Sequence, residues 1–376
     1  MKREYKLISA DAHVVEPPDL WSKWMATEFH SHKDMPKLVK DEEGGDAWQY
    51  GHGTKPAPLG IYAAAGKTPE HIKWTGARYD TVMPGMFQGA PRLKEQEADG
   101  VDAEVIFGSS RPMGLFLRHK EPDFHLAGFQ AYNDFMLKDF AATDPTRLVG
   151  LAYIPGLGIE SAVSELRRVA KLGAKGVVLM CWPSANDFVS SDDDPFWAEC
   201  EKLNLPVAIH VRLISVNSAP PGPTGKQGGS IPGLATTGML DMPAIMADLI
   251  FSGVHDRFPK LMFAATEAGA GWIPYLLEQM DDRYWRNRHW TKCALEKLPS
   301  EYFYRNWRAT FMADGYAVRN RHACGVDNIM WSTDYPHHGC DWPYSRKVAN
   351  EMFADVSKEE RGRILAANCA ELYHLG

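Results

Sequence analysis

Nowhere does this chain carry an uninterrupted apolar run approaching the ~20 residues needed to span a bilayer, so no membrane partner is expected. The first residues (Met1-Lys2-Arg3-Glu4-Tyr5-Lys6) are charged and lack the apolar stretch of a secretory signal. Cysteine is scarce: Cys181, Cys200, Cys293, Cys324, Cys340 and Cys369 are scattered with no CxxC pair. That excludes a zinc knuckle and a disulfide framework, and the expectation is a cytoplasmic enzyme with reduced thiols. Basic residues are in deficit, 41 Lys and Arg against 48 Asp and Glu, for a net charge of −7. Without any Lys/Arg-dense run, a nucleic-acid groove is excluded. Internal repeats and low-complexity tails are also missing.

What is present is alternation. Apolar β-type runs fall at 8–10, 103–107, 148–154, 174–180, 206–211, 261–265, 308–311 (a faint one) and 329–332. Helix-like segments separate them. The segment 161–172 carries Ala162, Val163, Leu166, Val169 and Ala170 on one stripe and ends before Gly173. Asp241 is read as the N-cap of a helix bearing Ile245, Met246, Leu249 and Ile250, and 273–280 as a further helix. Near-continuous apolar strands alternating with amphipathic helices indicate a parallel sheet covered by helices. Eight such units predict an α/β fold, a (β/α)8 TIM barrel; an open doubly wound sheet is the alternative. Residues 1–376 are read as a single barrel domain. Two stretches interrupt it, 22–95 after strand one and the Pro/Gly-rich 215–238 after strand five, and loops of that length in an enzyme wall pockets.

In a barrel, chemistry is expected at the C-terminal ends of the strands. Asp11 and His13 close strand one, two residues apart and therefore on one face. His210 ends strand five, Glu267 follows strand six and Asp334 follows strand eight. Carboxylates and imidazoles gathered at one mouth are a mixed N/O ligand set suited to Zn, Mn or Fe. The bland reading of each is a satisfied core histidine, a helix cap or a turn residue, but five at four strand ends point to a metal centre.

The motifs Ser9-Ala10-Asp11-Ala12-His13, Pro206-Val207-Ala208-Ile209-His210, Glu267-Ala268-Gly269-Ala270-Gly271-Trp272 and Trp331-Ser332-Thr333-Asp334-Tyr335-Pro336-His337 resemble the amidohydrolase-related family, the branch of aminocarboxymuconate-semialdehyde decarboxylase-like enzymes. The resemblance implies a (β/α)8 barrel with one or two divalent metals per chain and a homodimer. By position, Asp11 and His13 match its paired strand-one ligands, His210 the strand-five ligand and Asp334 the strand-eight ligand. Two positions differ: many members carry His-x-His or Glu-x-His where Asp11 stands, and the decarboxylases usually place a histidine where Glu267 stands.

A charge count then sets the expected reaction. Three carboxylates (Asp11, Glu267, Asp334) leave the site near −1 with one divalent ion, which repels a carboxylate substrate. Two ions bring it near +1. Water polarised by such ions has a pKa near ~7. The expectation is therefore a hydrolase acting on an ester, thioester or amide of a small molecule, with a metal-dependent non-oxidative decarboxylase of an aromatic or unsaturated acid as the alternative. Asp334 is assigned as general base, Glu267 as a ligand to a second metal or a water-orienting group, and His337 as donor to the oxyanion. Zinc is expected first, iron or manganese next. Arg111, Arg212, Trp272 and His338 are candidate substrate-binding residues.

Other signals are weaker. His30-Ser31-His32 follows no apolar strand and reads as a solvated loop. Gly269-Ala270-Gly271 lacks the third glycine of a dinucleotide loop. Glu16 and Asp19 read as supports of the Asp11-Ala12-His13 motif or, more simply, as helix caps, and Asp192-Asp193-Asp194 as a solvated acidic turn.

Overall fold

Strand β1 (Ile8–His13) is buried at all six positions, as a strand covered on both faces must be. After it the chain leaves the sheet and returns only at β5. The excursion contains a helix at Leu20–Trp24 and a small antiparallel sheet of β2 (Lys37–Lys40), β3 (Asp46–Gln49) and β4 (Ala57–Pro58). It closes with the helix Gly89–Asp99, which Gly100 ends in the left-handed conformation at φ 72°. The 22–95 stretch is thus folded rather than a bare loop. The computed structural model describes residues 3–214, 216, 236 and 240–376. The expected wall at 215–238 lies, apart from residues 216 and 236, outside the described residues.

The remaining strands are β5 (Ala103–Phe107), β6 (Leu148–Gly150), β7 (Ala152–Tyr153), β8 (Val177–Leu179), β9 (Val207–His210), β10 (Phe263–Thr266), β11 (Trp307–Phe311) and β12 (Ile329–Trp331). All pairings in the order β1-β5-β6 and β7-β8-β9-β10-β11-β12 are parallel. β6 and β7 are halves of one strand that changes partner at Leu151: the Leu151 amide donates to Ile106 and the Ala152 amide to Gly176. Among the described residues eight strands result. The faint run at 308–311 is a full strand, buried at four of its five positions.

Side chains and turn amides close the ring between β12 and β1. Ser9 Oγ accepts from the Thr333 amide at 2.8 Å and lies 2.9 Å from Thr333 Oγ1. The Asp334 amide donates to the Asp11 carbonyl at 2.9 Å, and the His13 amide to the Tyr335 carbonyl at 2.5 Å. The fold is a (β/α)8 barrel.

The outer helices follow the sequence pattern, with differences at their ends. Ile159–Lys171 buries Ala162, Leu166 and Val169 at helical spacing. Asp241 is the first residue of Asp241–Phe251 rather than its cap. The helix expected at 273–280 runs on to Thr291, because its polar second half is held by contacts such as Arg286 with Asp282 (2.8 Å, i to i+4) and by buried Tyr284. No helix among the described residues is long and apolar enough to cross a membrane.

Candidate metal centre

β1 brings Asp11 and His13 to the barrel mouth with a register shift against β5: Ser9 faces Glu104, but Ala12 already faces Ile106. One extra residue sits in β1 at this point. Such a bulge re-aims side chains without leaving the sheet. His13 Nε2 ends 3.5 Å from Asp11 Oδ1, 3.2 Å from His210 Nε2 and 3.1 Å from Asp334 Oδ1. His210 Nε2 in turn lies 3.5 Å from Asp11 Oδ1 and 3.4 Å from Glu267 Oε2. Five side chains from four strands therefore converge on one spot, as their positions predict.

Backbone strain marks the same spot. Val211, Glu267 and Asp334 have φ of 61°, 53° and 56°, a left-handed conformation that costs a side-chain-bearing residue about 1–3 kcal/mol. Val211 and Glu267 directly follow the last residues of β9 and β10, and Asp334 follows β12 by three. The surroundings hold each one: the Val211 amide donates to Thr266, the Glu267 amide to Thr310 Oγ1 at 2.9 Å, and the Asp334 amide to Asp11. A β-branched residue at positive φ is rare. Here the turn at Val211 lets His210 look inward.

The electrostatics are those of crowded, dry carboxylates. Burial and the neighbouring Asp334 push Glu267 up to about 7. Burial opposes ionisation of Asp334, but His337 (Nδ1 2.9 Å from Oδ1) and His13 hold it well below the usual carboxylate range. Burial lowers His210, yet Asp11, Glu267 and Asp334 push it up to about 9. Burial brings His337 down to about 4. The His337 ring stacks on His13 with centroids 4.0 Å apart.

Asp11 tests whether a metal fits. It is fully buried; Oδ1 has only the 3.5 Å contacts with His13 and His210, no well-formed hydrogen bond, and Oδ2 has no partner at all. A buried anion without donors is strongly unfavourable unless a cation completes it. With His13 and His210 beside it, the donor set suits a borderline divalent ion, and Asp11, His13, His210 and Glu267 offer ligand atoms within 4.8 Å of one another. His13, Asp334 and His337 form a second such group.

A cavity of about 330 Å³ opens onto these residues. Arg212 and His338 line it, as expected of substrate contacts. Arg111 and Trp272 do not. Arg111 lies in an adjoining hollow, and the Trp272 indole turns away to donate to the Ala268 carbonyl at 2.7 Å, because Trp272 begins the helix Ile273–Thr291. The walls also contain Tyr62, Ser109, Tyr153 and Met180, none singled out by the sequence. The signal available for Tyr62 was its place in the long excursion.

The His30-Ser31-His32 segment is not a free solvated loop. His32 stacks on Phe124 (centroids 4.1 Å) and clusters with Asp34 and His119. In each of the two rings Nδ1 accepts a backbone amide at 3.2 Å, from Asp34 and Glu121. Each Nε2 lies 3.3 Å from a carboxylate, Glu121 for His32 and Asp34 for His119. The nitrogens are used in a hydrogen-bonded staple.

A strained, metal-grade mouth on a (β/α)8 barrel defines a metal-dependent enzyme, and comparison with known proteins places it. The amidohydrolase family profile matches residues 91–375, well over half of the sequence, and the chain belongs to that family. It is 25% identical over 295 residues to 2-amino-3-carboxymuconate-6-semialdehyde decarboxylase of Dictyostelium discoideum, covering 76% of each chain. It is also 25% identical over 293 residues to gamma-resorcylate decarboxylase of a Rhizobium species, covering 73% of this chain and 85% of the relative. Among solved structures, the dihydroxybenzoic acid decarboxylase of Polaromonas sp. JS666, with bound manganese and the inhibitor 2-nitroresorcinol, shares the fold at a TM-score of 0.65. It is 17% identical and covers 99% of this chain and 98% of that one.

These relatives overturn the hydrolase expectation, since both curated ones are decarboxylases. The charge count behind it treated Glu267 as fully ionised. Burial beside Asp334 raises its carboxyl to about 7, so in the metal-free chain Glu267 is only partly ionised at neutral pH and the count overstated the negative charge.

Proposed function

We propose that the chain is a metal-dependent non-oxidative decarboxylase of an aromatic or unsaturated carboxylic acid. The observation that carries the reading is the decarboxylase identity of relatives aligned over about three quarters of the chain. Asp11, His13 and His210 would hold one divalent cation, with Glu267 and Asp334 facing it. Manganese is the ion in the related Polaromonas structure; zinc and iron suit the same ligands. When bound, the cation supplies Lewis acidity and offsets repulsion between the substrate carboxylate and the acidic residues.

The chain's own part is a proton. When the bond to CO2 breaks, its electron pair stays on carbon and must be protonated. Glu267 and Asp334 repel one another, so the pair keeps one proton, and Asp334, held ionised by His337 and His13, leaves it on Glu267. Glu267 delivers that proton to the carbon as CO2 departs and is reprotonated from water. His337 holds Asp334 in place, and Arg212 and His338 orient the acid. Tyr62, edge-on to His337 at 5.1 Å, walls the cavity. A cavity of about 330 Å³ suits a one-ring acid. The resemblance carries a homodimer into this reading as its assembly.

The test is turnover of the manganese-, zinc- or iron-loaded protein on hydroxybenzoates and unsaturated dicarboxylates in heavy water. Release of CO2 with one solvent deuterium at the vacated carbon is expected. Ester or amide cleavage without CO2 release from any acid would sink the reading.

A further inference from the structure

Next to the metal cavity lies a second hollow of about 570 Å³, and the two share Ser110, Met180 and Ile214 in their walls. In a chain of net charge −7 this hollow is lined by Lys55, Arg111, Arg118 and His119 and, among the described residues, by no carboxylate. His119 is already matched by Asp34 at 3.3 Å. The other three form no ion pair among the described residues, and the sequence from 213 to 240 contains no Asp or Glu that could supply one.

Both arginines are set in place, yet each keeps an unused donor. Arg111 Nη1 donates to the Pro58 carbonyl at 2.7 Å, and its guanidinium lies 3.9 Å over the ring of Tyr62, the same tyrosine that walls the metal cavity. Behind it, fully buried Glu16 accepts from Tyr50 at 2.9 Å and favours the charged guanidinium without reaching it as an ion pair. Arg118 has only a 3.4 Å contact from Nη1 to Gly114, and burial with no compensating anion pulls its pKa below the ordinary value. The Nε atoms of both are buried without a partner. Buried cationic donors left open are unfavourable, and a planar or tetrahedral oxyanion is the group that fills a guanidinium fork.

We propose that this hollow is a second substrate subsite, in which Arg111 and Arg118, with Lys55 at its edge, bind a carboxylate or phosphate carried on an arm of the acid whose reacting end lies at the metal ligands. The substrate class is then a dianionic acid with its two charges on separate ends. The inference rests on the decarboxylase reading only in naming which end reacts.

Calorimetric titration of the metal-loaded full chain tests it without requiring turnover. The probes are benzoate, and benzoates bearing alkyl arms of increasing length ended by a carboxylate, a phosphate or a neutral amide. At one arm length the charged probe should bind at least about tenfold more tightly than its amide, and either oxyanion supports the subsite. Arg118→Gln should erase that gain and Arg118→Lys keep part of it, with benzoate affinity and metal content unchanged as proof that the fold and the metal site persist. Arg111→Gln should act the same way. Equal binding of acid and amide at every arm length, or a gain that survives both Gln variants, overturns the proposal. Dianion binding by a protein that releases CO2 from no acid would refute the reaction and leave the subsite standing.

Discussion

The Asp334 amide donates to the Asp11 carbonyl at 2.9 Å, so the carboxylate that follows the last strand hangs from the backbone of the first. The same carbonyl accepts the Ser9 hydroxyl at 2.7 Å, and Ser9 in turn accepts the Thr333 amide. Barrel closure and metal-site assembly are therefore one set of hydrogen bonds. Asp334 cannot take its place unless the ring is shut.

Ser9→Ala removes the acceptor of a buried amide and should cost about 1–3 kcal/mol. Urea unfolding of the metal-free protein measures it. Metal affinity should fall in parallel, because Asp334 loses its anchor; an unchanged midpoint would mean that closure does not depend on this hydroxyl.

Asp334→Asn keeps shape but removes the charge that confines the proton to Glu267. Decarboxylation should fall by at least about 10², the lower end for loss of an acid–base group, with the circular dichroism spectrum and melting temperature retained. Near-normal CO2 release would remove Asp334 from the mechanism.

In the mechanism we propose Glu267 must be protonated to act, and in the metal-free chain its carboxyl is raised to about 7 by burial and Asp334. A cation facing Glu267 lowers that value, so activity of the metal-loaded protein should decline as pH rises, with its midpoint at or below about 7. In Glu267→Gln the residual rate should lose that limb, which a pH–rate profile of both proteins would reveal.

His210, burial notwithstanding, is pushed up to about 9 by Asp11 and the other carboxylates, so it is cationic at neutral pH in the metal-free chain. A ligand imidazole must be neutral. Metal affinity should rise with pH toward about 9, and binding at pH 7 should release a proton. Calorimetry in two buffers of different ionisation enthalpy reads that proton directly.

His255 sits far from the metal centre. Burial holds it down to about 3, and its Nε2 accepts the Trp307 indole at 2.9 Å, a bond that only the neutral ring can accept. The unfolded chain takes up this proton near 6.5, so folding stability is intact above that pH and drains away between 6.5 and 3. His255→Gln should flatten this acid limb in pH-dependent urea unfolding, while lowering stability at pH 7 if its amide does not replace the Trp307 bond.

Much of the barrel and its mouth is legible in residue order alone. Strands buried on both faces must be apolar throughout, which is why eight runs separated by amphipathic helices mark the barrel. Strand ends then mark the candidate ligands. The failures share a cause: residues whose partners are distant in sequence or set by local backbone geometry. Glu16 reads as a cap, yet it is fully buried against Tyr50 from the excursion. Asp193 reads as solvated, yet it is fully buried and accepts the Ser184 and Ser190 amides. Trp272 reads as a pocket wall, but helix geometry turns its indole back onto Ala268.

By itself the sequence determined the barrel and singled out Asp11, His13, His210, Glu267 and Asp334 as candidate ligands of a divalent ion, because these depend on residue type and strand periodicity. Only the tertiary structure decided how charge is shared among the carboxylates. Charge on Glu267 depends on how dry it is and how near Asp334 lies, and strand order sets both, not composition. Reading every carboxylate as ionised led to a hydrolase; the decarboxylase relatives overturn that expectation, and the folded site, with one carboxyl raised and one depressed, supports the proton transfer we propose.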